Sequence, residues 1–238
     1  HRQRIGQTYN RAHHVVEAPE IPGSAINPEI DAAAVTRDYF KNSPGMTYFD
    51  DLLKTNSLAA LRRFLLESTI WFDIEHSGGY LGAYLNEGLA CPLIFQIAEE
   101  LRLTFPEIFQ DKRLDQLWAY KYDSRLDGIA IHADYAAINI NFWVTPDSAN
   151  RDPDHGGLVV YDVDAPLDWH FKTYNTDVAR MREYLAENNS RKMVVPYAEN
   201  RIDMFNSNLF HETDVIDFEP GYENRRINIT MLFGRREN

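Results

Sequence analysis

Among the 8 histidines of this 238-residue chain, only one has a carboxylate two positions later, in His132-Ala133-Asp134. On extended backbone, residues i and i+2 point the same way, so this pair aims an imidazole and a carboxylate at one point. These are two members of a two-His-one-carboxylate triad, which grips Fe(II) on one side and leaves the other open. With 8 His and 36 Asp+Glu, about one such pair arises by chance, so its setting decides. The pair follows the apolar run Ile129-Ala130-Ile131, which reads as a strand. A third ligand has to come from a distant strand. Asn208-Leu209-Phe210-His211-Glu212, directly after Ile202 to Phe205, offers His211. Arg226 then opens the terminal run, with Arg226, Asn228 and Thr230 on one face. A guanidinium there can hold the distal end of a dicarboxylate through two parallel hydrogen bonds. Arg225 competes for that role, but its face carries Ile227, Ile229 and Met231, which favours Arg226.

The remaining histidines are weaker candidates. His155 lies in the turn Asp152-Pro153-Asp154-His155-Gly156-Gly157 and is expected to be solvated. His170, between Trp169 and Phe171, is expected in a loop near the site's mouth or in structural packing. His13-His14 sit in a polar arm, away from catalysis. Tyr120, Trp143 and Trp169 can line a pocket, but at 13% aromatic residues most rings must be core, and none is assigned to substrate.

The elements that must position these residues divide the chain. Residues 1–30, with Pro19, Pro22, Gly23 and Pro28, read as an irregular arm on a surface. Residues 31–115 read as mainly helical. Ser57 is expected to cap a helix with Leu58, Leu61, Leu65 and Leu66 on one stripe. Gly78-Gly79 and Gly82 break the pattern, and a second helix follows Pro92 with Leu93, Ile97 and Leu101 on one face. Residues 116–238 read as the core. Ile129 to Val144 alternates as one strand ended by Pro146, and Gly156-Gly157 introduces a strand at Leu158 to Tyr161. Asp177 caps an inserted helix near 177–188, and Met193 to Val195, Ile202 to Phe205 and Arg226 to Phe233 supply further strands. The expected fold class is α+β with a mainly β core, a sandwich or barrel carrying helices outside, in one domain over 1–238.

From about Tyr120 to Arg235 the chain resembles the 2-oxoglutarate/Fe(II)-dependent oxygenase superfamily, in its prolyl-hydroxylase-like or related branches. The resemblance rests on Tyr122 ten residues before His132, His132-x-Asp134, Gly156-Gly157-Leu158, Phe205-x-Ser207 before His211, and the closing Arg-x-polar pair. It implies a double-stranded β-helix, or jelly roll, with an N-terminal helical layer packed on it. It implies iron held by His132, Asp134 and His211, and 2-oxoglutarate held by Arg226, Tyr122 and Asn228. Asn228 stands where the family usually has Ser. The implied cofactors are Fe(II), 2-oxoglutarate as cosubstrate, and O2. The implied reaction is hydroxylation of an unactivated C–H bond, with succinate and CO2 as coproducts. Halogenating relatives lack the carboxylate that Asp134 supplies. A cupin-like metal-dependent isomerase or lyase, or a non-catalytic jelly-roll binding domain of a longer protein, are the alternatives.

Bulk properties narrow the partners. A hydrophobic fraction of 44% supports a sizeable core, and a formal charge of −12 argues against nucleic acid or an anionic membrane surface. No apolar run approaches the roughly 20 residues of a membrane span. The single Cys91 excludes an internal disulfide and a Cys-rich zinc site, and suits a reducing cytoplasm. The chain opens with His1 and shows no basic-then-apolar leader, so it reads as trimmed or as part of a longer protein. The expected partner is a small-molecule or peptide substrate.

Overall fold

A computed structural model describes residues 13–41, 45–74, 78–123 and 127–236; residues 1–12 of the arm lie outside them. In chain order the elements are α1 (Ala32–Lys41), β1 (Met46–Phe49), α2 (Thr55–Glu67), β2 (Tyr80–Tyr84), α3 (Pro92–Thr104), α4 (Pro106–Phe109), β3 (Leu114–Tyr122) and β4 (Ile138–Trp143). There follow β5 (Leu158–Asp164), α5 (Phe171–Asn175), α6 (Val178–Glu187), β6 (Lys192–Val195), β7 (Ile202–Asn206), β8 (Leu209–Thr213) and β9 (Ile227–Phe233).

The strands form a six-stranded sheet, β1-β7-β4-β9-β3-β2, and a three-stranded sheet, β6-β5-β8, with all pairings antiparallel. Alternation divides the side chains of the large sheet between two environments. On its outer face Ile138, Ile140, Phe142, Ile227, Ile229 and Met231 join a core with α2, α3 and α4. On its inner face Tyr122, Trp143 and Phe205 meet Leu158, Val160 and Leu209 of the small sheet. Met181 and Leu185 of α6 pack with Ile131, Ala133 and Phe210 in a third cluster. This is the expected jelly roll, two facing sheets with helices packed outside.

Several local expectations need correction. Ser57 does not cap α2; Lys54 occupies that position without a side-chain cap bond, and Ser57 is buried within the helix. The buried stripe is Ser57, Leu61, Phe64 and Leu65, with Leu58 and Leu66 half-buried beside it. Residues 129–144 are not one strand. Only Ile138–Trp143 is continuous, because the chain before it crosses from the small sheet to the large one. Two strands, β1 and β2, also stand inside the stretch read as helical. The described part of the arm does more than lie on a surface, since Ala18, Ala25 and Ile26 enter the core. Asp177 does cap α6, accepting from the Arg180 N–H.

Candidate metal centre

His132 and His211 face each other across an isolated antiparallel bridge. Each backbone N–H donates to the other's carbonyl, at 2.9 and 2.8 Å. The two rings lie 4.2 Å apart between centroids. Both are held in the same manner. His132 Nδ1 lies 2.9 Å from the Ala130 carbonyl, and His211 Nδ1 lies 3.0 Å from the Leu209 carbonyl. A carbonyl can only accept, so both Nδ1 atoms carry the proton and both Nε2 atoms turn inward as the ligating positions.

Asp134 is placed by its own backbone. The Ala133 N–H donates to the Tyr174 carbonyl and the Asp134 N–H to the Ser207 carbonyl, at 2.8 and 3.3 Å. Its Oδ1 lies 3.8 Å from His132 Nε2 and its Oδ2 lies 3.4 Å from His211 Nε2. One donor atom from each of the three residues falls within 4.8 Å of the others, a spacing that suits one metal ion. His132 and Asp134 converge from a bridge residue and an irregular one two positions on, rather than from a regular strand.

Burial and the neighbouring His211 push His132 down to about 4, against the pull of Asp134, so it is a neutral imidazole at neutral pH. Burial alone would raise Asp134, but His132, His211 and Asn139 together outweigh it and hold the carboxyl ionised. Burial likewise opposes a proton on His211, and the Asp134 carboxylate outweighs it. A carboxylate beside two imidazoles is a donor set for Fe(II) and similar first-row ions.

Arg226 lines the same cavity and is only 1% exposed. Its Nε donates to the Gly156 carbonyl at 2.5 Å and its Nη2 to the Gly157 carbonyl at 2.9 Å. The guanidinium stacks over Tyr122 at 4.6 Å and Trp143 at 5.5 Å. Nη1 has no hydrogen-bond partner among the described residues, and no carboxylate pairs with the group there. Burial lowers its proton affinity, yet guanidinium stays charged in proteins. The two glycines whose carbonyls hold Arg226 are fixed by the backbone around them. Gly156 has φ +90°, and a Cβ on Gly157 would sit 1.9 Å from the Val195 carbonyl oxygen. Arg225, by contrast, lies half-buried against Asp123.

Tyr122 is buried beside Arg226, and Asn228 and Thr230 line the cavity, with Asn228 Nδ2 donating to Thr230 Oγ1 at 2.9 Å. Trp143 packs under Arg226, Tyr120 lines the cavity, and Trp169 packs on Tyr184 and Phe210. His155 pairs with Asp214, His170 is exposed at the start of α5, and His13 and His14 hydrogen-bond to Thr69 through their backbone. None of these four joins the triad. Sequence reasoning missed Asn139 and Asn141, which connect the triad to the cavity floor. Asn139 Nδ2 donates to Asp134 Oδ2 at 2.7 Å, Asn141 Nδ2 to Asn139 Oδ1 at 3.0 Å, and Asn228 Nδ2 to Asn141 Oδ1 at 3.0 Å. Two asparagines alternating with isoleucines in Ile138-Asn139-Ile140-Asn141 are the signal that was there to find.

No protein-family model and no curated protein matches this sequence. Solved structures do match it. The non-heme α-ketoglutarate-dependent epimerase SnoN from nogalamycin biosynthesis is 12% identical, with a TM-score of 0.60 over 86% of this chain and 83% of that one. HygX from Streptomyces hygroscopicus, with nickel, 2-oxoglutarate and hygromycin B bound, is 13% identical, with a TM-score of 0.55 over 89% and 87%. A Pseudomonas putida prolyl-4-hydroxylase is 16% identical, with a TM-score of 0.53 over 86% and 99%. At such identities the likeness speaks for architecture: the chain has the jelly-roll fold of these enzymes.

Proposed function

We propose that this chain is an Fe(II)/2-oxoglutarate-dependent dioxygenase that hydroxylates an unactivated C–H bond of a small molecule, working as one catalytic domain. The observation that carries the reading is Arg226. A buried cation without an ionic partner is costly, and this one faces the cavity that holds the triad. An anionic cosubstrate in that cavity would relieve the cost. Arg226 thereby argues against a cupin-like isomerase or lyase, whose metal chemistry requires no anionic cosubstrate.

His132, Asp134 and His211 would hold the iron through Nε2, a carboxylate oxygen and Nε2. Arg226 would pair with the distal carboxylate of 2-oxoglutarate, with the Tyr122 hydroxyl beside it and Asn228 below. Iron with 2-oxoglutarate and O2 supplies oxidative decarboxylation to succinate and CO2, coupled to oxidation of the substrate. The chain contributes fixed ligands, an anchored cosubstrate and a walled cavity. Asp134 keeps a carboxylate in the third protein position, which favours hydroxylation over halide transfer. HygX with hygromycin B bound and SnoN in complex with nogalamycin RO support a small-molecule substrate. Among the described residues no helix is long and apolar enough to cross a membrane. A reducing cytoplasm suits an Fe(II) centre and the buried Cys91.

The test is anaerobic. Adding Fe(II) and 2-oxoglutarate is expected to give the weak visible charge-transfer band of the chelate, and His211→Ala to abolish it. Arg226→Gln should weaken 2-oxoglutarate by about 100-fold, the loss of a buried charged pair, and leave iron affinity near wild type. No band in the wild-type protein refutes the reading. A 2-oxoglutarate loss that follows Arg225→Ala instead moves the anchor to that residue.

A further inference from the structure

The cavity above the metal centre has a volume of about 1000 Å3, at the upper end of the range for small-molecule sites. A five-carbon diacid at Arg226 leaves most of it for substrate. What lines that remainder is unusual in two respects.

First, one wall is almost entirely aromatic. In the β2–β3 register Tyr80 faces Tyr122, Gly82 faces Tyr120 and Tyr84 faces Trp118, so alternation places these rings on the inner face of the sheet. The rings are in contact, at 4.6 Å for Tyr80–Tyr120, 6.0 Å for Trp118–Tyr120 and 6.3 Å for Tyr84–Tyr120. Gly82 leaves the middle of the wall to the Asp73 side chain, which a Cβ there would meet at 3.1 Å. Second, the wall offers no cation: behind its rings the one charged group among the described residues is the carboxylate of Asp73, which is bridged to Gly82 and accepts from the Tyr84 hydroxyl at 2.9 Å. Among the described lining residues the only formal charges besides the histidines are Asp134 and Arg226, both already assigned. Burial raises the Tyr80 and Tyr120 hydroxyls far above neutral pH, so they stay protonated.

Polar groups at the wall are tyrosine hydroxyls, amides and the Asp73 carboxylate. Trp118 Nε1 is buried and has no acceptor among the described residues. Gln116 and Asn86 stand exposed at the rim. Across the cavity, Phe171 of α5 adds an exposed ring. A peptide adding to the outer edge of β2 is disfavoured at the wall's centre, because Gly82 N–H and C=O are both bonded to Asp73.

We propose that this wall recognises a ring-shaped, hydroxylated small molecule without anionic groups, stacked on Trp118 and Tyr120 with its hydroxyls toward the rim amides of Asn86 and Gln116. The inference rests on the dioxygenase reading and adds the class of substrate. Ring faces gain from stacking on Trp and Tyr, while hydroxyls suit the rim amides. An anionic group would find no counter-charge on the wall and would meet the Asp73 carboxylate.

The test is ligand-observed saturation-transfer NMR on protein loaded with zinc and 2-oxoglutarate, which keeps the sample diamagnetic. Four probes are compared: methyl β-cellobioside, naringenin, N-acetyl-Gly-Pro-amide and L-proline. Saturation transfer to the cellobioside or to naringenin is expected, and which of the two binds separates a sugar ring from a phenolic one. Trp118→Ala should weaken that probe roughly tenfold with 2-oxoglutarate affinity unchanged, and Trp118→Phe should restore most of the stacking. Transfer confined to the dipeptide or to proline overturns the proposal. So does transfer to neither ring probe, or ring binding indifferent to Trp118→Ala. The anaerobic iron chromophore is recorded on the same preparation. Its absence refutes the dioxygenase reading, whereas an intact chromophore without ring binding refutes the substrate class alone.

Discussion

Asn139 shows how a residue outside the candidate triad can set the quality of a metal site there. Its Nδ2 lies 2.7 Å from Asp134 Oδ2, and its own oxygen accepts from Asn141. Both asparagines are buried in the six-stranded sheet. The amide therefore fixes which way the carboxylate faces and stabilises its ionised form. Partners of this kind are worth about 10- to 100-fold in metal affinity. Asn139→Ala should weaken metal binding within that range, read as the dissociation constant in a Co(II) titration. Asn139→Asp should be worse, since it sets a second carboxylate against Asp134. Wild-type affinity in the Ala variant would mean the hydrogen bond does not govern ligation. Asn141 extends the same row to Asn228 and Thr230, so the triad's carboxylate and the cavity floor belong to one hydrogen-bonded set.

Within the elements, α2 tests a reversal of sign. Ser57 has the chemistry of a cap, but the helix begins at Thr55 and buries the Ser57 hydroxyl without a hydrogen-bond partner among the described residues. An unsatisfied buried hydroxyl costs about 1 kcal/mol or more, and alanine has the better helix propensity. Ser57→Ala is therefore expected to stabilise the protein by about 1 kcal/mol in a urea melt, whereas loss of a cap would destabilise it by about as much. The same element shows where sequence is legible. The apolar spacing of Leu61 and Leu65 reports which face is buried, but nothing in Lys54-Thr55-Asn56-Ser57 fixes which polar residue ends outside the helix. The strand β2 escaped notice because Gly82 reads as a breaker. In the fold it is a fitted position, since a Cβ there would lie 3.1 Å from Asp73 Cβ. The candidate ligands were legible because His132-x-Asp134 is local in sequence. Asn139 and Trp118 were harder to see because their roles depend on which strand faces the cavity, a property of pairing between distant segments.

At the scale of the whole molecule, a large outer core between the helices and the six-stranded sheet supports a polar row inside the jelly roll. That row includes a destabilising member. Asp203 on β7 is fully buried; its Oδ1 accepts from Asn141 Nδ2 at 3.1 Å and its Oδ2 has no partner among the described residues. Burial pushes its carboxyl up to about 7, against the opposing pull of Asn141, His211 and Arg226. An unfolded Asp titrates near 3.9, so between about pH 4 and 7 the folded protein binds more protons than the unfolded chain. Stability from this group is thus present at the acid end and is lost as pH rises through that window, up to about 4 kcal/mol once both states are ionised. Asp203→Asn removes the titration while keeping an oxygen for Asn141. In urea melts of metal-free protein, the variant should exceed wild type by the largest margin near pH 8, and the gap should narrow steadily toward pH 5. The difference between the two profiles isolates Asp203 from every other titrating group. Parallel profiles would place its carboxyl outside this window and leave the polar row without a pH-dependent cost. A gap that widens toward acid would reverse the assignment, making Asp203 a stabilising carboxylate whose charge the fold is built to hold.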